Sequence, residues 1–143
     1  MFLTVTFMHL QARYALLCLP LAGAVCSCGG NAMHYDAATR ALATCSGATL
    51  TTVVVAGVDG KDFYRIAKRP GAAGTDHLRL DQLSESYVVR GWDSRVCPAG
   101  VRLRPNTSYR VSNASNGDAA ASDVLVKTAS DGLITEGSPA ACR

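Results

Sequence analysis

Six cysteines, three histidines and one tryptophan are the residues of this 143-residue chain with the sharpest chemistry. Cys18, Cys26 and Cys28 lie in or beside an apolar N-terminal run, whereas Cys45, Cys97 and Cys142 are spread through the body. The body has no C-x-x-C pair, and its two histidines, His34 and His77, are far apart in sequence. Nothing in that spacing collects metal ligands, so a disulfide is the expected use of the body cysteines in an oxidising compartment. No nucleophile elbow, H-E-x-x-H pair, phosphate loop or dinucleotide fingerprint occurs. The Asp76-His77 pair alone does not make a hydrolase triad. Asp36, Asp59, Asp62 and Asp118 are too scattered to form a calcium loop. The expectation is therefore no catalytic residue, no metal and no cofactor. Binding chemistry is better represented. Trp92 stands between Arg90 and Arg95, and Trp and Arg dominate the energetics of protein interfaces when exposed; a place in the core is the slightly favoured expectation for Trp92 itself.

Charge is modest and unevenly placed. The formal net charge is +3, yet residues 61–110 hold ten Lys or Arg against five Asp or Glu, and residues 111–143 hold two against four. A charge this small and mixed does not suit a nucleic-acid binder. A basic middle suits an acidic protein, anionic lipid headgroups or a polyanionic cell-wall polymer. With 48% apolar and 17% charged residues, the chain is too apolar to be disordered, and its length suits one domain.

Part of the apolar excess sits at the N-terminus. Arg13 precedes an apolar run from Tyr14 to Val25, too short to span a bilayer as a helix but of secretory signal-peptide form. Met8 is a candidate start for it. The following Val25-Cys26-Ser27-Cys28-Gly29-Gly30 resembles the lipobox of bacterial lipoproteins. That resemblance implies cleavage after residue 27, a lipid on Cys28 and a flexible tether, although Cys26 departs from the pattern. Ala22-Gly23-Ala24 offers the alternative of ordinary cleavage and free secretion. The expected organisation is a helical signal peptide over 1–27, a tether over 28–36, one β-domain over 37–136 and a loose tail over 137–143.

The body reads as short strands divided by turns. Expected strands are 41–45, 49–56, 63–67, 77–83, 87–92, 101–103, 109–111 and 124–128, with a short edge strand at 133–134. The β-branched run Thr49 to Ala56 ends before Asp59-Gly60, a tight-turn pair. Strands at such intervals predict an all-β antiparallel sandwich. Leu103-Arg104-Pro105-Asn106-Thr107-Ser108-Tyr109 has the spacing L-x-P-x-T-x-Y. It resembles the tyrosine corner of fibronectin type III and related immunoglobulin-like domains. The resemblance covers residues 97–130; the family's strand-B Trp has no counterpart in Thr49–Ala56. It implies that Leu103, Pro105, Thr107 and Tyr109 shape a corner in which the buried phenol bonds to backbone. It also places Cys45 and Cys97 at one pole and implies a bond between them, with pairings to Cys142 left open.

These features are expected of a cell-envelope lipoprotein, lipid-anchored on the periplasmic face. Its sandwich would serve as an interaction module for a protein or envelope partner, with Arg90, Trp92 and Arg95 at the contact. A periplasmic inhibitor or immunity-type protein and an enzyme with a dispersed site are the alternatives.

Overall fold

The computed structural model describes residues 30–115 and 123–142. The expected leader, the lipobox with Cys28, and residues 116–122 of the loop before strand 123–128 lie outside those residues.

Nine strands form two antiparallel sheets, and no helix occurs among the described residues. Strands β1 (Met33–Asp36), β2 (Ala41–Thr44) and β5 (His77–Leu78) make a three-stranded sheet in the order β1-β2-β5. The larger sheet holds β3 (Thr52–Gly57), β4 (Phe63–Lys68), β6 (Tyr87–Arg90), β7 (Ser108–Asn113), β8 (Asp123–Thr128) and β9 (Ile134–Ser138), in the order β6-β4-β3-β7-β8-β9. This is the expected all-β sandwich.

Period-two burial fixes which way each strand faces. Val53 and Val55 of β3, Tyr109 and Val111 of β7, and Val124 and Val126 of β8 are each at most 1% exposed. They meet Met33, Tyr35 and Leu42 from the smaller sheet in one apolar cluster. Each such Val or Leu contributes roughly 1.5–3 kcal/mol by leaving water. The alternate residues of β3, β4 and β7 form the outer face of the larger sheet.

Several expectations are corrected. The sandwich begins inside the segment expected as a tether, because Met33 and Tyr35 of β1 are buried while His34 and Asp36 alternate with them. It also extends into the segment expected as a loose tail. There β9 pairs with β8 through Ser138, and the backbone N–H of Tyr35 donates to the Pro139 carbonyl at 3.0 Å. Residues 101–103 form no strand. Side-chain hydroxyls satisfy that backbone instead, with Tyr64 Oη donating to the Arg102 carbonyl at 2.7 Å and the Arg104 N–H donating to Tyr109 Oη at 2.7 Å. The strand expected over 77–83 stops at Leu78, and Arg79 folds back onto Asp81 at 2.7 Å.

The disulfide is the largest correction. Cys45 pairs with Cys142, Cα to Cα 5.5 Å, and Cys97 is a free thiol. Strand order supplies the reason. Cys97 is tied to the β6 edge of the larger sheet through its N–H to Val89 O at 2.8 Å, whereas β9 at the opposite edge carries the chain to Cys142 beside β1 and β2.

Candidate functional site

Strand β6 ends in a tight reversal that presents Trp92. Gly91 N–H donates to Arg95 O at 3.0 Å, Ser94 N–H returns to Gly91 O at 3.0 Å, and Ser94 takes a left-handed φ of 61°. Asp93 Oδ1 accepts from the Arg95 N–H at 3.0 Å, closing the turn. Arg90 spans the turn by donating from Nη1 to Ser94 O at 2.8 Å. So held, the indole is 67% exposed, far more than a core tryptophan.

One face of the indole is covered. Trp92 stacks on Phe63 of β4 with ring centroids 4.2 Å apart and planes inclined by 22°, slightly closer than the separation of about 4.5–7 Å usual for aromatic pairs. The stack borders a depression of about 440 Å³ on the outer face of the larger sheet, bounded by Phe63, Arg65, Ala67, Arg90 and Trp92.

The register adds a second feature. Arg65 of β4 lies directly opposite Arg90 of β6, and like charges at that position are destabilising. Neither arginine meets a carboxylate among the described residues. Part of the remaining basic charge is neutralised locally, while Arg40, Lys61, Lys68, Arg69 and Arg102 also meet no carboxylate among the described residues. Arg104 pairs with Asp59 and Asp62 at 2.7 and 2.6 Å, Arg110 with Asp123 at 3.3 Å and Lys127 with Glu136 at 2.8 Å. Uncompensated charge is thus left beside the aromatic stack.

Of the expected binding residues, Arg90 and Trp92 come together. Arg95 does not join them as a free cation, since its guanidinium pairs with Asp93 at 3.3 Å. Phe63 and Arg65 belong to the site and were missed. Their signal was present, because β4 places residues 63, 65 and 67 on one face, but the partner strand that puts them beside Trp92 lies more than twenty residues away.

The structural corner forms from the expected residues. Tyr109 is fully buried, its hydroxyl accepts from the Arg104 N–H, and it donates to Asp62 Oδ2 at 2.8 Å. Thr107 Oγ1 donates to Pro105 O at 2.8 Å, and Leu103 packs against the core. Burial, reinforced by the hydrogen bond to Asp62, pushes the Tyr109 phenol up to about 12.

A second concavity, about 340 Å³, opens between Tyr35, Leu80, Leu103 and Ile134, with Arg40, Asp81, Arg102 and Asp131 around it. Asp81 is engaged by Arg79, and Asp131 Oδ1 accepts from the Leu133 N–H at 2.9 Å. No Ser, Cys or His is among the described residues lining it; its titratable side chains are Tyr35, Arg40, Asp81, Arg102 and Asp131. His77 is exposed and bonded to Asp76 at 2.8 Å.

Compared with family models, curated proteins and solved structures, the chain gives no match in any of the three.

Proposed function

We propose that this chain is a cell-envelope interaction module whose larger sheet binds an acidic segment of a partner protein through Trp92, Phe63, Arg65 and Arg90. The single observation that carries the reading is the coincidence of an exposed, pre-stacked indole with two facing arginines that have no carboxylate partner among the described residues. The stack supplies rigid apolar area at little entropic cost, and the arginines supply bidentate donors for carboxylates. A bound carboxylate would also relieve the repulsion between the two guanidinium groups. The depression opens on the outer face of the larger sheet, where an acidic chain segment could lie along the strands.

The sandwich is read here as fibronectin-type-III-like. The order β1-β2-β5 and the run β4-β3-β7-β8 within the six-stranded sheet β6-β4-β3-β7-β8-β9, together with the bonded Tyr109 corner, support that reading; β6 and β9 extend the larger sheet beyond that run. The lipobox-like segment supports a lipid anchor at Cys28 and a place on the periplasmic face of the envelope.

Affinity capture from the solubilised native envelope tests the proposal. The wild-type chain should retain a partner that Trp92→Ala and Arg65→Glu/Arg90→Glu each lose, while Leu133→Ala, at the second concavity, retains it. Capture that survives the Trp92 and arginine changes, or fails only with Leu133→Ala, overturns the assignment. Fatty-acid labelling of wild type but not Cys28→Ala is expected for the anchor, and equal labelling of both contradicts it.

A further inference from the structure

The disulfide at the other end of the smaller sheet has an imidazole against it. His34 Nδ1 lies 3.2 Å from Cys142 Sγ and 4.0 Å from Cys45 Sγ. One ligand atom from each of the three residues falls within 4.8 Å of the others. We propose that, once this disulfide is reduced, His34, Cys45 and Cys142 bind a thiophilic d10 cation, Zn²⁺ or Cu⁺, so that the oxidation state of the pair decides whether the site exists.

The geometry needs little rearrangement. With metal–sulfur bonds of about 2.3 Å and metal–nitrogen bonds of about 2.0 Å, a tetrahedral site separates two sulfurs by about 3.8 Å and sulfur from nitrogen by about 3.5 Å. The two sulfur–nitrogen separations present, 3.2 and 4.0 Å, bracket that value. Opening the disulfide lets the sulfurs part by rotation about their side-chain bonds.

The backbone that carries the ligands does not depend on the disulfide. His34 is in the ladder opposite Ala43, and Cys45 N–H donates to Ala32 O at 2.8 Å. Pro139 O, three residues before Cys142, accepts from the Tyr35 N–H. His34 and Cys45 are thereby fixed, and Cys142 has only the three residues after Pro139 over which to move away from them. Two thiolates and an imidazole match the preferences of Zn²⁺ and Cu⁺, and three protein ligands leave a fourth position open on Zn²⁺.

The chemistry balances with a dithiol reductant. Its two thiols become a disulfide as the Cys45–Cys142 bond takes two electrons and two protons, giving two thiols. The cation then displaces both thiol protons and accepts the lone pair of His34 Nδ1. This site is separate from the Trp92 surface and stands or falls without it.

The test uses the full chain with Cys18, Cys26, Cys28 and Cys97 replaced by Ser, leaving Cys45 and Cys142 as the only cysteines. The protein is reduced, freed of reductant without oxygen, and titrated with Co²⁺ as the spectroscopic stand-in for Zn²⁺. A parallel titration uses Cu⁺ against a chromogenic chelator. One equivalent of at least one cation should bind the dithiol form with a thiolate charge-transfer band, and none should bind the disulfide form. His34→Ala, with an unchanged circular dichroism spectrum, should weaken that affinity at least tenfold. Failure of the dithiol form to take up either cation overturns the proposal, and so does equal affinity in His34→Ala. If His34→Ala loses its native spectrum, His34→Gln takes its place under the same criterion.

Discussion

At Tyr109 a single hydroxyl holds three segments together. It accepts from the backbone of residue 104 and donates to Asp62, and Asp62 also receives Arg104 Nε at 2.6 Å. Tyr109→Phe keeps the ring but leaves the Arg104 N–H without that acceptor, a loss of about 1–3 kcal/mol. Urea unfolding should show it as a lower midpoint with an unchanged slope. The same phenol gives a pH signature. Its folded pKa is raised from 10.0 to about 12, so the folded state holds the proton more tightly than the unfolded chain. Stability from this group is therefore complete below pH 10 and is lost as pH rises from 10 towards 12, by up to roughly 2–3 kcal/mol. Tyr109→Phe should flatten that part of the alkaline limb; an identical limb in both proteins would contradict the assignment. Spacing made Tyr109 legible in the sequence, because the L-x-P-x-T-x-Y run is local. Its acceptor role towards residue 104 is local too. Asp62 was not legible, because it reaches Tyr109 only after β3 and β7 pair.

Among the elements, β9 explains the disulfide. Gly137 lets β9 pass over Tyr35, since a Cβ there would fall inside the Tyr35 side chain. Gly137→Ala should cost about 1–3 kcal/mol through overpacking, read as a fall in the thermal midpoint. A neutral effect would mean that β9 does not lie on Tyr35. The passage of β9 beside β1 brings Cys142 to Cys45, closing a loop across a sequence separation of 97. Non-reducing peptide mapping should recover a Cys45–Cys142 peptide pair and a free Cys97. Cys142→Ser should lose about 2–5 kcal/mol, while Cys97→Ser should change stability little. The strands with β-branched runs, such as Val53–Val55 and Val124–Val126, were legible because their burial alternates within a few residues. The pairing of Cys45 was not, because strand order decides it and no local pattern encodes which edge carries which cysteine. β1 carried a legible alternation in Met33-His34-Tyr35-Asp36, hidden by its position directly after the leader.

At the scale of the molecule, the two sheets divide the labour. The inner faces supply the core, while the outer face of the larger sheet keeps Arg65 and Arg90 opposed beside the Trp92–Phe63 stack. That arrangement leaves charge without a carboxylate partner among the described residues, which is why a partner surface is assigned to it. Trp92 is the only tryptophan of the chain, so emission excited selectively at tryptophan reports on this surface of the chain. The direct test is to titrate the purified chain with the partner recovered by affinity capture, following Trp92 emission and its quenching by iodide. The free protein should show a red-shifted, readily quenched indole. Saturation with partner should shift the emission to the blue and abolish most of the quenching. A complex in which Trp92 keeps its free-state emission and full iodide access would contradict the account.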